Sequence, residues 1–219
     1  MDLHATLMPL PLAVAGLLLL ALALLPALRG IGAEPGLRGH RFPAALVAVL
    51  VLWQLRATTV DGPALHLLGA ALLQLLFGWR LALAGILAVL AAHTANGGAG
   101  WLAFGVNGLV AGVLPVAVSA LVTRAVVRRM PGNPFAYILI AGFAGGGLAM
   151  ACVMAASTGL LTLVSTLDAS RVLAHYTMPG AMLVFPEAFI TGAAVAWLAM
   201  FYPAAVATWR APWDGQRGY

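Results

Sequence analysis

The chain has 219 residues, of which 63% are hydrophobic and 8% charged, with a mean hydropathy of +1.02 and a formal net charge of +5. A soluble domain carries about 25% charged and about 45–50% apolar residues, so the composition excludes a water-soluble globule and points to an integral membrane protein. All eleven basic residues are arginine; with no lysine there is no Walker A loop, and an ATP-driven step would be the work of another chain.

Seven apolar stretches follow one another, so the expected fold is an all-α polytopic membrane domain over residues 1–219. The first, 5–28, lacks a basic flank and carries Asp2 instead, and it is long enough to cross a bilayer core of about 30 Å, so it reads as a retained span. The others are 42–58, 63–77, 79–94, 101–123, 134–163 and 181–204, separated by Gly, Pro or charge. The third and fourth are short, which suits segments that are tilted or buried in the bundle centre. Asp61-Gly62-Pro63 offers an N-cap and a first-turn proline to the third, and Asn133-Pro134 does the same for the sixth. Gly145-Gly146-Gly147 inside the sixth predicts close packing against a neighbouring helix.

Arginine placement orients this arrangement. Arg29, Arg38, Arg41, Arg80, Arg124, Arg128, Arg129, Arg210 and Arg217 fall on one side, and only Arg56 and Arg171, near Asp61 and Asp168, on the other. By the positive-inside rule the amino terminus is outside and the carboxyl terminus cytoplasmic. Arginines in short loops are an orientation signal and not a nucleic-acid footprint. Cys152 is the sole cysteine and forms no intrachain disulfide.

The same sorting gathers His4, His66, His93 and His175 on the external side and leaves His40 in a cytoplasmic loop. Ionisable groups at membrane depth are costly and usually line an interior or a cavity, which singles out His66 and Glu187. Steps of four place His66, Ala70 and Gln74 on one helical face. His66 is either a transition-metal ligand or a hydrogen-bonded interfacial histidine. His93, in His93-Thr94-Ala95-Asn96-Gly97-Gly98, is either a second ligand or a solvated turn residue. Glu187 follows Pro186 and either pairs with Arg56 or Arg171 or serves a ligand. Met178 and Met182 offer thioethers to a soft ion or simply pack. At the amino terminus, the Met1 amine, backbone amides and His4 could chelate Ni(II) or Cu(II), ions that favour tetragonal nitrogen ligation. His4 is one residue too distant for the amine-X-X-His arrangement while Met1 is retained. Ser157 and Ser165 lie in no recognisable nucleophile motif, so an enzyme is not expected.

Gly62-Pro63-Ala64-Leu65-His66-Leu67-Leu68-Gly69, with seven spans and an external amino terminus, resembles the substrate-capture permeases of energy-coupling-factor cobalt and nickel transporters, the CbiM/NikM type. Ala99-Gly100-Trp101-Leu102-Ala103-Phe104-Gly105-Val106-Asn107 is similar to that family's Gly-rich turn ending in Asn. Pro186-Glu187-Ala188-Phe189-Ile190-Thr191 is similar to the start of its last helix. The similarity runs from about Asp61 to Ala204. It implies a permease in the bacterial inner membrane that takes up cobalt or nickel and works with a transmembrane coupling subunit and ATPase subunits. It also implies that metal is held by the amino-terminal amine, a histidine at position two and the histidine corresponding to His66. Here position two is Asp2 and the nearest histidine is His4. Met1, His4, His66 and His93 are therefore the candidate metal ligands, with Glu187, Asn107 and Asp61 as further site candidates. The departure at position two leaves a second reading open: a membrane subunit or copper assembly factor of a larger complex, built on the same fold.

Overall fold

The structure, a computed structural model, describes residues 3–29, 31–34, 39–57, 63–164 and 168–209. Met1, Asp2 and Asp61 lie outside the described residues. Five stretches are long and apolar enough to cross a membrane: α1, Leu10–Leu28; α3, Ala70–Ala95; α4, Trp101–Arg129; α5, Pro134–Val164; and α6, Ala169–Phe201. A shorter apolar helix, α2, spans Arg41–Gln54. The protein is thus an all-helical, multi-pass membrane protein whose outer faces expose leucines and phenylalanines such as Leu18, Leu22, Phe185 and Phe189.

The third and fourth expected segments meet at Gly78. A straight helix from Ala70 to His93 would be about 35 Å long, yet the rings of His66 and His93 are 6.3 Å apart. At the other end, Phe77 lies edge-on to Phe42 at the start of α2, with ring centroids 5.2 Å apart. The chain therefore doubles back at Gly78, whose φ of 81° and ψ of 166° belong to a region that only glycine enters readily. The two arms are residues 70–77 and 79–95.

The start of the third segment differs from expectation. Pro63 does not open a helix: residues 63–69 are non-helical, and α3 begins at Ala70 after Gly69 in the left-handed conformation, φ 67°. His66 accordingly does not share a helical face with Ala70 and Gln74. Gln74 is buried elsewhere, its Oε1 accepting from Ser119 Oγ at 2.8 Å and Thr123 Oγ1 at 3.2 Å. The last segment begins earlier than expected, at Ala169, with a π-type turn over Leu173–Thr177 before its main run Val184–Phe201. The Asn133 cap holds: its Oδ1 accepts from Ala136 N at 3.0 Å.

Small residues bring the helices together. On α5, a Cβ added at Gly146 would press on Thr191, and one at Gly147 on Ala188, so the glycine run seats α6 as expected. On α4, a Cβ at Gly105 would run into the backbone of Gly16 and Leu17, so α1 and α4 cross at backbone contact. Gly78→Ala should cost about 1–3 kcal/mol, because alanine does not tolerate that backbone region. Gly159→Ala, with open space around it, should stay within about 0.5 kcal/mol of wild type. Thermal unfolding of both variants in detergent measures the difference.

Candidate metal centre

Non-helical backbone survives at membrane depth only where its polar groups find partners inside the protein. Within residues 63–69, the main-chain groups of Leu65, Leu68 and Gly69 meet that condition. Leu65 exchanges two main-chain hydrogen bonds with Ala57, each 2.8 Å, and Gly69 C=O accepts from Leu73 N at 3.0 Å. Leu68 C=O accepts from the indole Nε1 of Trp53 at 3.0 Å. The N–H groups of Leu68 and Gly69 donate to the two carboxylate oxygens of Glu187, at 2.8 and 2.9 Å. Glu187 is 3% exposed, and its partners are these backbone amides. Neither of the pairings expected for it, with Arg56 or Arg171, is formed: both arginines are exposed. The ion pair among the described residues joins Arg80 to Glu34 at 3.1 Å.

This scaffold carries His66 inward. The imidazole is 1% exposed, and its Nδ1 lies 2.9 Å from Leu67 O. A carbonyl can only accept, so in that contact Nδ1 carries the proton and Nε2 the lone pair, the state in which a neutral imidazole ligates a metal. His93 stands beside it at the end of the second arm of α3. It is 2% exposed, so the solvated-turn reading is replaced by a buried one. The Asn96–Gly98 turn wraps it: Gly98 N donates to His93 O at 3.1 Å, and a Cβ on Gly98 would sit 2.8 Å from the imidazole Cδ2. Only glycine leaves room for the ring there. Trp53, fully buried, completes a cluster of three rings, with centroids 4.5 Å from His66 and 5.7 Å from His93.

The amino-terminal segment enters the bundle along the Gly-rich stretch. Ala5 N donates to Ala99 O at 2.7 Å. Asn107 Oδ1 accepts from Leu3 N and its Nδ2 donates to Leu3 O, both at 3.0 Å. The side-chain amide thus pairs with one residue's main chain as a neighbouring strand would. Leu3 is fully buried while His4 is exposed. The structure therefore brings His66 and His93 together and leaves His4 on the surface. Among the described residues no third His, Cys, Asp or Glu joins the two imidazoles in a metal-holding group.

Other sequence candidates fall away from the centre. Met178 and Met182 are exposed, as is His175, so none faces the ring cluster. Tryptophan near the end of an apolar helix normally reads as an interfacial anchor, and nothing in the spacing of Trp53 distinguishes its buried role here.

Residues 3–205 match the sequence profile of the CbiM family, the cobalt uptake substrate-specific transmembrane region. No curated protein matches the chain in sequence. In fold, it is similar to the crystal structure of a truncated transition metal transporter, with a TM-score of 0.75 at 15% identity, over 91% of this chain and 99% of that one. A second transition metal transporter structure aligns with a TM-score of 0.76, also at 15% identity, covering 91% of this chain and 93% of that one. With the profile running from the buried amino-terminal anchor through the ring cluster to the end of α6, the chain belongs to the CbiM family of metal-uptake membrane components, which transport and do not catalyse.

Proposed function

We propose that this protein is the substrate-binding permease of an energy-coupling-factor transporter in a bacterial inner membrane. It captures a divalent transition metal, Ni(II) or Co(II), with copper the further candidate, at His66. The observation that carries this reading is the buried imidazole of His66, tied at Nδ1 to Leu67 O, beside a second buried imidazole. Two neutral imidazoles suit Ni, Co and Cu and are poor ligands for Mg or Ca. His93 is the proposed second ligand. The Met1 amine is the proposed amino-terminal donor, two residues along the chain from Leu3, which Asn107 anchors. His4, being exposed, is left out of the set. ATP hydrolysis and substrate release fall to a coupling subunit and ATPase subunits, in keeping with a chain that has no lysine.

Isothermal titration of the purified protein with Ni(II), Co(II) and Cu(II) tests the ligand set. His66→Ala should weaken binding by more than the about 10–100-fold typical of losing an outer-shell partner. His93→Ala should weaken it measurably, and His4→Ala should match wild type. Unchanged affinity in the His66 and His93 variants would remove the site. Uptake of radioactive cobalt or nickel by cells expressing the protein with and without coupling and ATPase subunits tests the assembly, with uptake expected only when they are present.

Asn107→Leu would leave the N–H and C=O of Leu3 without their partner at a cost of about 1–3 kcal/mol each. Hydrogen exchange at Leu3 should accelerate selectively in this variant, and metal affinity should fall with it if the amino-terminal amine is a ligand.

A further inference from the structure

Glu187 reaches the ring cluster only through the main chain, and the way it does so is specific. The Leu67–Leu68 peptide group presents its two ends to two side chains: its N–H donates to Glu187 Oε2 at 2.8 Å, and its C=O is the Leu67 oxygen 2.9 Å from His66 Nδ1. The next peptide group repeats the pattern. Its N–H, on Gly69, donates to Glu187 Oε1 at 2.9 Å, and its C=O, on Leu68, accepts from the Trp53 indole at 3.0 Å. Two successive main-chain N–H groups converging on one carboxyl group form a concavity of the kind that binds anions, next to Gly69 in the left-handed conformation.

We propose that Glu187 is a positioning residue that fixes the tautomer and direction of the His66 imidazole through the Leu67–Leu68 peptide group. A carboxylate accepting from a peptide N–H polarises that peptide and makes its carbonyl a stronger acceptor. The stronger acceptor holds the proton on Nδ1 and keeps the lone pair on Nε2. Metal-bound histidines commonly receive this help directly from a carboxylate or a carbonyl. In this protein the two are joined in series, carboxylate to peptide to imidazole. A direct carboxylate contact would place the negative charge against the ring, whereas the relay keeps Glu187 one peptide away and leaves it with both oxygens occupied. In this reading Glu187 positions the ligating ring and is not itself a ligand.

The proposal rests on His66 as a metal ligand only for its consequence, since the tautomer can be read without metal. Nitrogen-15 NMR of ring-labelled histidine, with His66 assigned from His66→Ala, reports which nitrogen is protonated in the metal-free protein in detergent. Wild type should show Nδ1 protonated and Nε2 unprotonated. Glu187→Gln offers one acceptor and one NH2 where two amides donate, so it should give a mixture of tautomers at His66 with His93 unchanged. Its Ni(II) affinity should fall by about 10–100-fold, the range for outer-shell partners of ligating histidines. Glu187→Asp should recover part of both losses, which a general packing defect would not allow.

A His66 ring that stays protonated at Nδ1 in both variants, with wild-type affinity, would overturn the relay. So would equal changes at His66 and His93, which would indicate a global loss of structure. If the tautomer at His66 shifts but wild type binds none of the three metals, the relay stands and the metal reading alone fails.

Discussion

Everything in this structure turns on seven residues that cross the interior of a membrane protein without forming a helix. A lipid core offers no water to an exposed peptide group, and each group left unsatisfied costs several kcal/mol. Leu65, Leu68 and Gly69 escape that cost because Trp53 and Ala57, at the end of α2 and just past it, and Glu187, on α6, supply partners. The gain is access: a helical His66 would spend its backbone on its own turn and hold its side chain at a helix surface. An irregular segment delivers the ring into the protein centre, against Trp53 and His93.

The rest of the architecture follows from making room for that segment. Gly78 reverses the chain so that both arms of α3 end beside the same ring cluster. Glycines at 105 and 146 let α1, α4, α5 and α6 approach closely around it. Packing density substitutes here for the hydrophobic driving force that lipid withdraws from helix association. Further buried polar side chains find partners inside the bundle: Gln74 with Ser119 and Thr123, Asn107 with the main chain of Leu3.

Much of this was legible in the sequence, for a simple reason. In a chain with so few ionisable residues, His66 and Glu187 stand out at membrane depth, and the cost of burying each one argues for a purpose. What the residues do was less accessible. The partners of Glu187 are amides 118 and 119 positions away, and a carboxylate gives no sign in sequence of whether it will meet an arginine or a backbone. The steps of four linking His66, Ala70 and Gln74 suggest a helical face, but a left-handed Gly69 and the external hydrogen-bond partners outweigh that periodicity. His93 looks solvated because a polar, glycine-rich turn follows it, and that turn instead folds over the ring. The burial of Trp53 depends wholly on tertiary context.

Asn107 holds Leu3 by the peptide groups alone, donating to its carbonyl and accepting from its amide. Such a grip is blind to side-chain identity and sensitive to chain length. It works as a ruler: the residue at the anchor is held through its main chain, by its place along the segment. The point at which the amino-terminal segment enters the bundle is thus fixed by one side-chain amide and the main chain of one residue.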